Sequence, residues 1–166
     1  MKNLNKPHSL ISIVLLVVIL FTAIPFYATT TNSEHKQTIQ GFIYQIKTIQ
    51  SQVSEIAPSI LNTSNPEDNI QLKLRIISIN STIESLNIII QDYFLTVPGV
   101  NQRNRHVLLT FNVVNLIKSN LYTLNALLNA TTPEERLNLL TEYANTQSTT
   151  FDTLEILEDS LEKFHT

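Results

Sequence analysis

From residue 39 onward the apolar residues alternate by three and four positions. One run is Ile39, Phe42, Ile46, Ile49, Val53, Ile56, Ile60, and the next is Leu72, Ile76, Ile79, Ile83, Leu86, Ile90, Tyr93, Val97. A residue three or four positions on lies one turn along the same helix face, so each run forms a continuous apolar seam. Seams this long leave water only by packing against other helices. Two further seams follow: Val107, Phe111, Val114, Ile117, Leu121, Leu124, Leu128, and then Leu137, Leu140, Ala144, Gln147, Phe151, Leu154, Leu157, Leu161, Phe164.

Read alone, the alternation suits a long coiled coil; the breaks cut it into four matched lengths. Asn65-Pro66-Glu67-Asp68 supplies a cap, a proline in the first helical position and acids near the positive end of the dipole. Thr132-Pro133-Glu134-Glu135 repeats this and adds a Thr-x-x-Glu capping box. Val97-Pro98-Gly99-Val100 makes the third break, with a helix start near Asn101–Asn104. Only two glycines occur in the whole chain, which argues against a turn-rich β fold. The fold class expected is all-α: an N-terminal transmembrane or signal helix, then an antiparallel up-down-up-down four-helix bundle with helices near 33–61, 66–96, 103–130 and 133–164. Pro58 should end or kink the first of these about one turn early.

Residues 1–28 read as a signal-anchor or signal peptide, 29–32 as a linker and 33–166 as an extracytoplasmic bundle. Lys2 and Lys6 precede twenty uncharged residues from Ser9 to Ala28. About 20 apolar residues cross a bilayer, whereas a cleaved signal has a core of roughly 7–15 followed by small residues. Pro25 and Ala28 resemble a cleavage region, but Phe26 stands where a small residue is wanted. The length favours an uncleaved anchor through residues 9–28 over a cleaved signal. Either places the lysines inside and the bundle outside, giving a single-pass membrane protein or a secreted one. The apolar stretches 76–95 and 107–128 are interrupted by polar residues and read as amphipathic helices, not spans.

Charged residues are only 15% of the chain and net charge is −3, the wrong sign for phosphate neutralisation, so no nucleic-acid partner is expected. The absence of cysteine removes disulfides, thiolate metal sites and a Cys nucleophile. Charge is unequally shared. The third helix holds Arg103, Arg105 and Lys118 without an acid, whereas the fourth has eight acids against Arg136 and Lys163, or −6. Antiparallel packing would bring the arginine end near Glu155–Glu162, each exposed pair being worth under about 1 kcal/mol.

The turns share a pattern. Leu61-Asn62-x-x-x-Pro66-Glu67 recurs 67 residues later as Leu128-Asn129-x-x-x-Pro133-Glu134. A duplicated hairpin and convergent capping both account for it.

Candidate sites are few. Asp152, Glu155, Asp159 and Glu162 share one face, which reads as solvated rather than metal-binding. No Glu-x-x-His pairs stand on facing helices; Glu162–His165 is isolated. Histidines 8, 35, 106 and 165 are scattered and read as solvent-facing or capping, which leaves no haem ligand. Neither a Gly-x-Ser-x-Gly elbow nor a glycine-rich phosphate loop occurs. No catalytic, cofactor-binding or metal residue is assigned, and no enzyme activity is expected.

Two features bear on binding. Ile77, Ile88 and Ile89 lie outside the second seam; they suit either a wide face shared by two neighbours or a surface for a protein partner. Ala144, Gln147 and the surrounding Thr146–Thr150 interrupt the fourth seam, leaving either a pocket or a hydrated layer that sets register. Asn-x-Ser/Thr triplets at Asn62, Asn80 and Asn129 match chance for this composition. The expected function is a non-enzymatic exported, membrane-anchored bundle acting through protein–protein contacts as scaffold or accessory subunit. The alternative is a small-ligand-binding or sensor-type bundle using Ala144–Thr150 or the loop Val97–Asn104.

Overall fold

A computed structural model describes residues 31–62, 66–97 and 101–164. The expectations placed on residues 1–28 therefore lie outside the described residues. The rest is all-helical: α1 (Asn32–Asn62), α2 (Pro66–Thr96), α3 (Gln102–Asn129) and α4 (Pro133–Glu162), with no strand among the described residues. At 1.5 Å per residue each helix is about 42–46 Å long. Among the described residues no helix is long and apolar enough to cross a membrane.

Local chemistry sets the helix starts. Thr132 caps α4 by accepting from the Glu135 backbone N–H at 3.2 Å, and Glu135 reaches back to the Thr131 N–H at 3.2 Å. Asn101 caps α3 through the Asn104 N–H at 3.1 Å. Before α1 stands a box that the sequence reading did not single out. Thr31 Oγ1 accepts from the Glu34 N–H at 3.2 Å, and Glu34 accepts from the Thr31 N–H at 2.8 Å. The expected early end at Pro58 does not occur, since α1 runs on to Asn62. Pro58 faces solvent, while Ile56, Ala57 and Ile60 hold the other face in the core.

Contacts fix direction. Glu55 of α1 pairs with Arg75 of α2, and Glu84 of α2 with Lys118 of α3. Lys47 of α1 meets Glu158 of α4 at 2.6 Å. The start of α1 touches the end of α2, the start of α3 and the end of α4, so consecutive helices run in opposite directions.

The cross-section is a rhombus rather than a square. α3 packs against all three other helices, whereas α4 lies chiefly along α3 and barely meets α1. The reason is written in burial. α3 turns a wide arc inward, with Val107, Val113, Val114, Ile117, Leu121, Leu124 and Leu127 all buried. α4 buries only Thr150, Thr153, Leu154, Leu157 and Leu161. The first three seams close on one another, except that Tyr93, Phe111 and Leu128 are half-buried. The fourth seam needs correction: Leu137, Ala144 and Phe151 face outward, and the half-buried Leu139 and Tyr143 join the predicted Leu140 in carrying the contact. A helix with one main neighbour needs only a narrow strip, so the strip of α4 is set chiefly by α3.

Candidate functional site

At the end of the bundle where α1 begins, two histidines are fully buried. This overturns the expectation that His35 and His106 are solvent-facing or capping; His8 and His165 lie outside the described residues. His35 Nδ1 lies 2.7 Å from the Tyr93 hydroxyl, and His35 Nε2 lies 3.1 Å from His106 Nδ1. His106 Nε2 completes the line at 3.0 Å from Ser160 Oγ. Tyr93, His35, His106 and Ser160 come from α2, α1, α3 and α4, so one relay ties all four helices. The rings also stack. His35 lies 5.8 Å from Tyr93 and 5.3 Å from His106, and the Phe164 ring meets both imidazoles edge-on at 5.5 and 5.1 Å.

Burial in this aromatic box disfavours charge. It is the main reason His35 is lowered from 6.5 to about 4, with the charges of His106 and Arg103 adding to it. His106 is lowered too, again by burial first; a backbone contact with Ser160 opposes and Arg105 assists. Burial pushes Tyr93 up. The relay is thus neutral at pH 7. Each imidazole carries one proton, and the hydrogen bonds run in a single direction along the line.

Ser160 beside His106 repeats the spacing of a nucleophile and its base. The surroundings do not support that chemistry: both imidazoles have no exposure, and the hollows of about 580 and 530 Å³ open elsewhere, between α1 and α4. A signal for the pair existed in the sequence. His35 lies four residues before Ile39 and extends its seam by one turn, and His106 directly precedes Val107, the first residue of the third seam. Their meeting did not show, because they are 71 positions apart.

A second polar cluster lies mid-bundle. Asn120 Nδ2 donates to Gln147 Oε1 at 3.3 Å, and Gln147 Nε2 donates to Ser54 Oγ at 2.8 Å. Thr150 is fully buried beside them. The interruption in the fourth seam is therefore a polar layer joining α1, α3 and α4. Asn120 Oδ1 and the nearby Gln50 Nε2 are buried without a partner. The hollows run alongside rather than through it. One, of about 580 Å³, is lined by Gln50, Ser54, Phe151 and Leu154; the other, of about 530 Å³, by Tyr44 and Leu161, with Lys47 and Glu158 shared.

The acidic stripe stays in solvent. Asp152, Glu155, Asp159 and Glu162 are exposed, and no group of three or more ligating side chains suited to a metal occurs among the described residues. Arg103 of the basic end donates to Asn32 Oδ1 at 3.0 and 2.6 Å, while Glu158 pairs with α1.

On the outside of α2 lies a stripe the bundle leaves uncovered. Ile70, Leu74, Ile77, Ile88 and Leu95, with Ile89 beside them, are 51–73% exposed. Their spacings are all three, four or sums of these, so five of them share one face, diametrically opposite the buried Leu72–Ile90 seam. Of the two accounts of Ile77, Ile88 and Ile89, the shared face within the bundle does not hold for the described residues. Comparison with protein-family models, with curated proteins and with solved structures finds no match.

Proposed function

We propose that this chain is a non-enzymatic scaffold or accessory subunit, exported and anchored through residues 9–28, that works by protein–protein contact along α2. The observation that carries the reading is the outward stripe Ile70–Leu95. Two exposed apolar groups, Ile70–Leu74–Ile77 and Ile88–Ile89–Leu95, separated on that face by Ser81 and Ser85, gain free energy only when another surface covers them. The buried face of the same helix already supplies its fold, so among the described residues the outer face serves no internal contact.

The test is a double substitution, Ile77→Asp with Ile88→Asp. Both side chains are more than half exposed, so the helical signal and unfolding midpoint should hold within about 0.5 kcal/mol. Association, read by light scattering and by capture from native extracts, should be lost. A wild-type chain that stays a monodisperse monomer and captures nothing would sink the reading.

A second reading, a small-ligand-binding bundle, is favoured by one observation: the buried, unpartnered Gln50 Nε2 on the wall of the 580 Å³ hollow. On this reading the ligand would lie beside Phe151–Glu158, next to the notional Ala144–Thr150 site rather than within it. Thermal shift against a ligand library tests it, and no stabilisation by any compound rejects it.

A further inference from the structure

We infer that the line Tyr93–His35–His106–Ser160 is a proton-sensitive latch that holds the four helices together at the end where α1 begins and loosens when acid charges it. The geometry sets the limits. With both rings neutral, every ring nitrogen is matched: if the tyrosine hydroxyl donates to His35 Nδ1, then His35 Nε2–H donates to His106 Nδ1, and His106 Nε2–H donates to Ser160. The opposite direction works equally well. One added proton keeps the hydrogen bonds but puts a cation in a box walled by Tyr93, Phe42 and Phe164. A second proton sets N–H against N–H across 3.1 Å, which the line cannot accommodate.

No carboxylate of the described residues is hydrogen-bonded to either ring. From α3 the charges that reach the pair are Arg103 and Arg105, both of which oppose protonation. α2 offers Tyr93, and α4 the uncharged Ser160 and Phe164, with Asp159, Glu162 and Lys163 exposed to solvent. On α1, Glu34 is engaged with Thr31 and its charge reaches Tyr93.

The sign follows. The histidines take up protons more readily when the end is open, so opening is suppressed above pH 6.5 and grows as pH falls toward the closed-state value of His35. Between pH 8 and pH 5 the opening equilibrium should rise about 30-fold, taking 6.5 for the open end and about 4 for the closed one.

The experiment uses the full-length chain. Imidazole NMR resonances give the two titrations, and amide exchange corrected for its intrinsic pH dependence gives the opening. The expected result is titration of His35 near 4 and of His106 below 6.5. Faster opening should be confined to the first turns of α1 and α3 and the last turns of α2 and α4, with residues 113–124 unchanged. Replacing His35 with Phe and His106 with Leu should abolish the change above pH 5, leaving only what Glu34 contributes below it. Should that variant fail to fold, the wild-type titrations still decide. His35 and His106 titrating near 6.5, or opening that is uniform along the bundle or independent of pH, overturn the proposal, whatever His8 and His165 do.

Discussion

Single buried polar groups divide this core into satisfied and unsatisfied parts. Gln50 is 4% exposed, and its Nε2 has no partner. A buried donor left without an acceptor costs about 1–3 kcal/mol, whereas an apolar side chain of similar shape costs nothing of the kind. Gln50→Leu should therefore be neutral or stabilising by about 1 kcal/mol in denaturant unfolding. A clear loss would mean that a water or ligand satisfies this group. Asn120 differs, because it donates to Gln147 and lies against Thr150. Asn120→Ala strands Gln147 Oε1 and opens a cavity, so it should cost about 2 kcal/mol. Polar side chains at these positions were visible in the sequence; which of them found partners depended on three helices meeting.

At the scale of the element, the helix starts are the most legible part of the chain. The Thr132 cap and its Glu135 partner form as their spacing implies, because both bonds close within four residues. Thr132→Ala should lower stability by about 1 kcal/mol, read from the denaturation midpoint. Pro58 is the opposite case. Local chemistry alone would end α1 there, yet burial of Ile56, Ala57 and Ile60 on the inner face carries the helix through. Pro58→Ala restores the missing N–H on an exposed face and should stabilise by about 1–3 kcal/mol in the same measurement. The seams of α1, α2 and α3 were readable for the same local reason, since one face of each helix had to be apolar. Leu137 and Phe151 misled because the pattern of α4 admits more than one strip.

Across the whole molecule, stability is unequally distributed. No side chain of α4 between Pro133 and Thr149 is fully buried, and that half leans chiefly on α3, with Gln147 reaching Ser54 of α1. Regions with little buried apolar contact open locally at lower free energy than the global transition. Amides of residues 137–149 should exchange by local opening, while those of 113–127 in α3 exchange only with complete unfolding; equal protection in both would contradict the rhombic arrangement. The same arrangement leaves α2 at the edge, where its second apolar face points away from every other helix.

The sequence by itself determined that the described residues form four helices, where three of them begin, and which stripe of the first three turns inward. These properties arise from caps that close within one turn and from a 3.6-residue period, and neither needs knowledge of a distant residue. Only the tertiary structure decided that α3 takes the centre and that the outer face of α2 stays uncovered. It alone brought His35 and His106 together from 71 positions apart to 3.1 Å. Two apolar faces on one helix are equivalent until neighbours choose between them. A histidine on a seam is likewise only a polar residue until another helix supplies its partner.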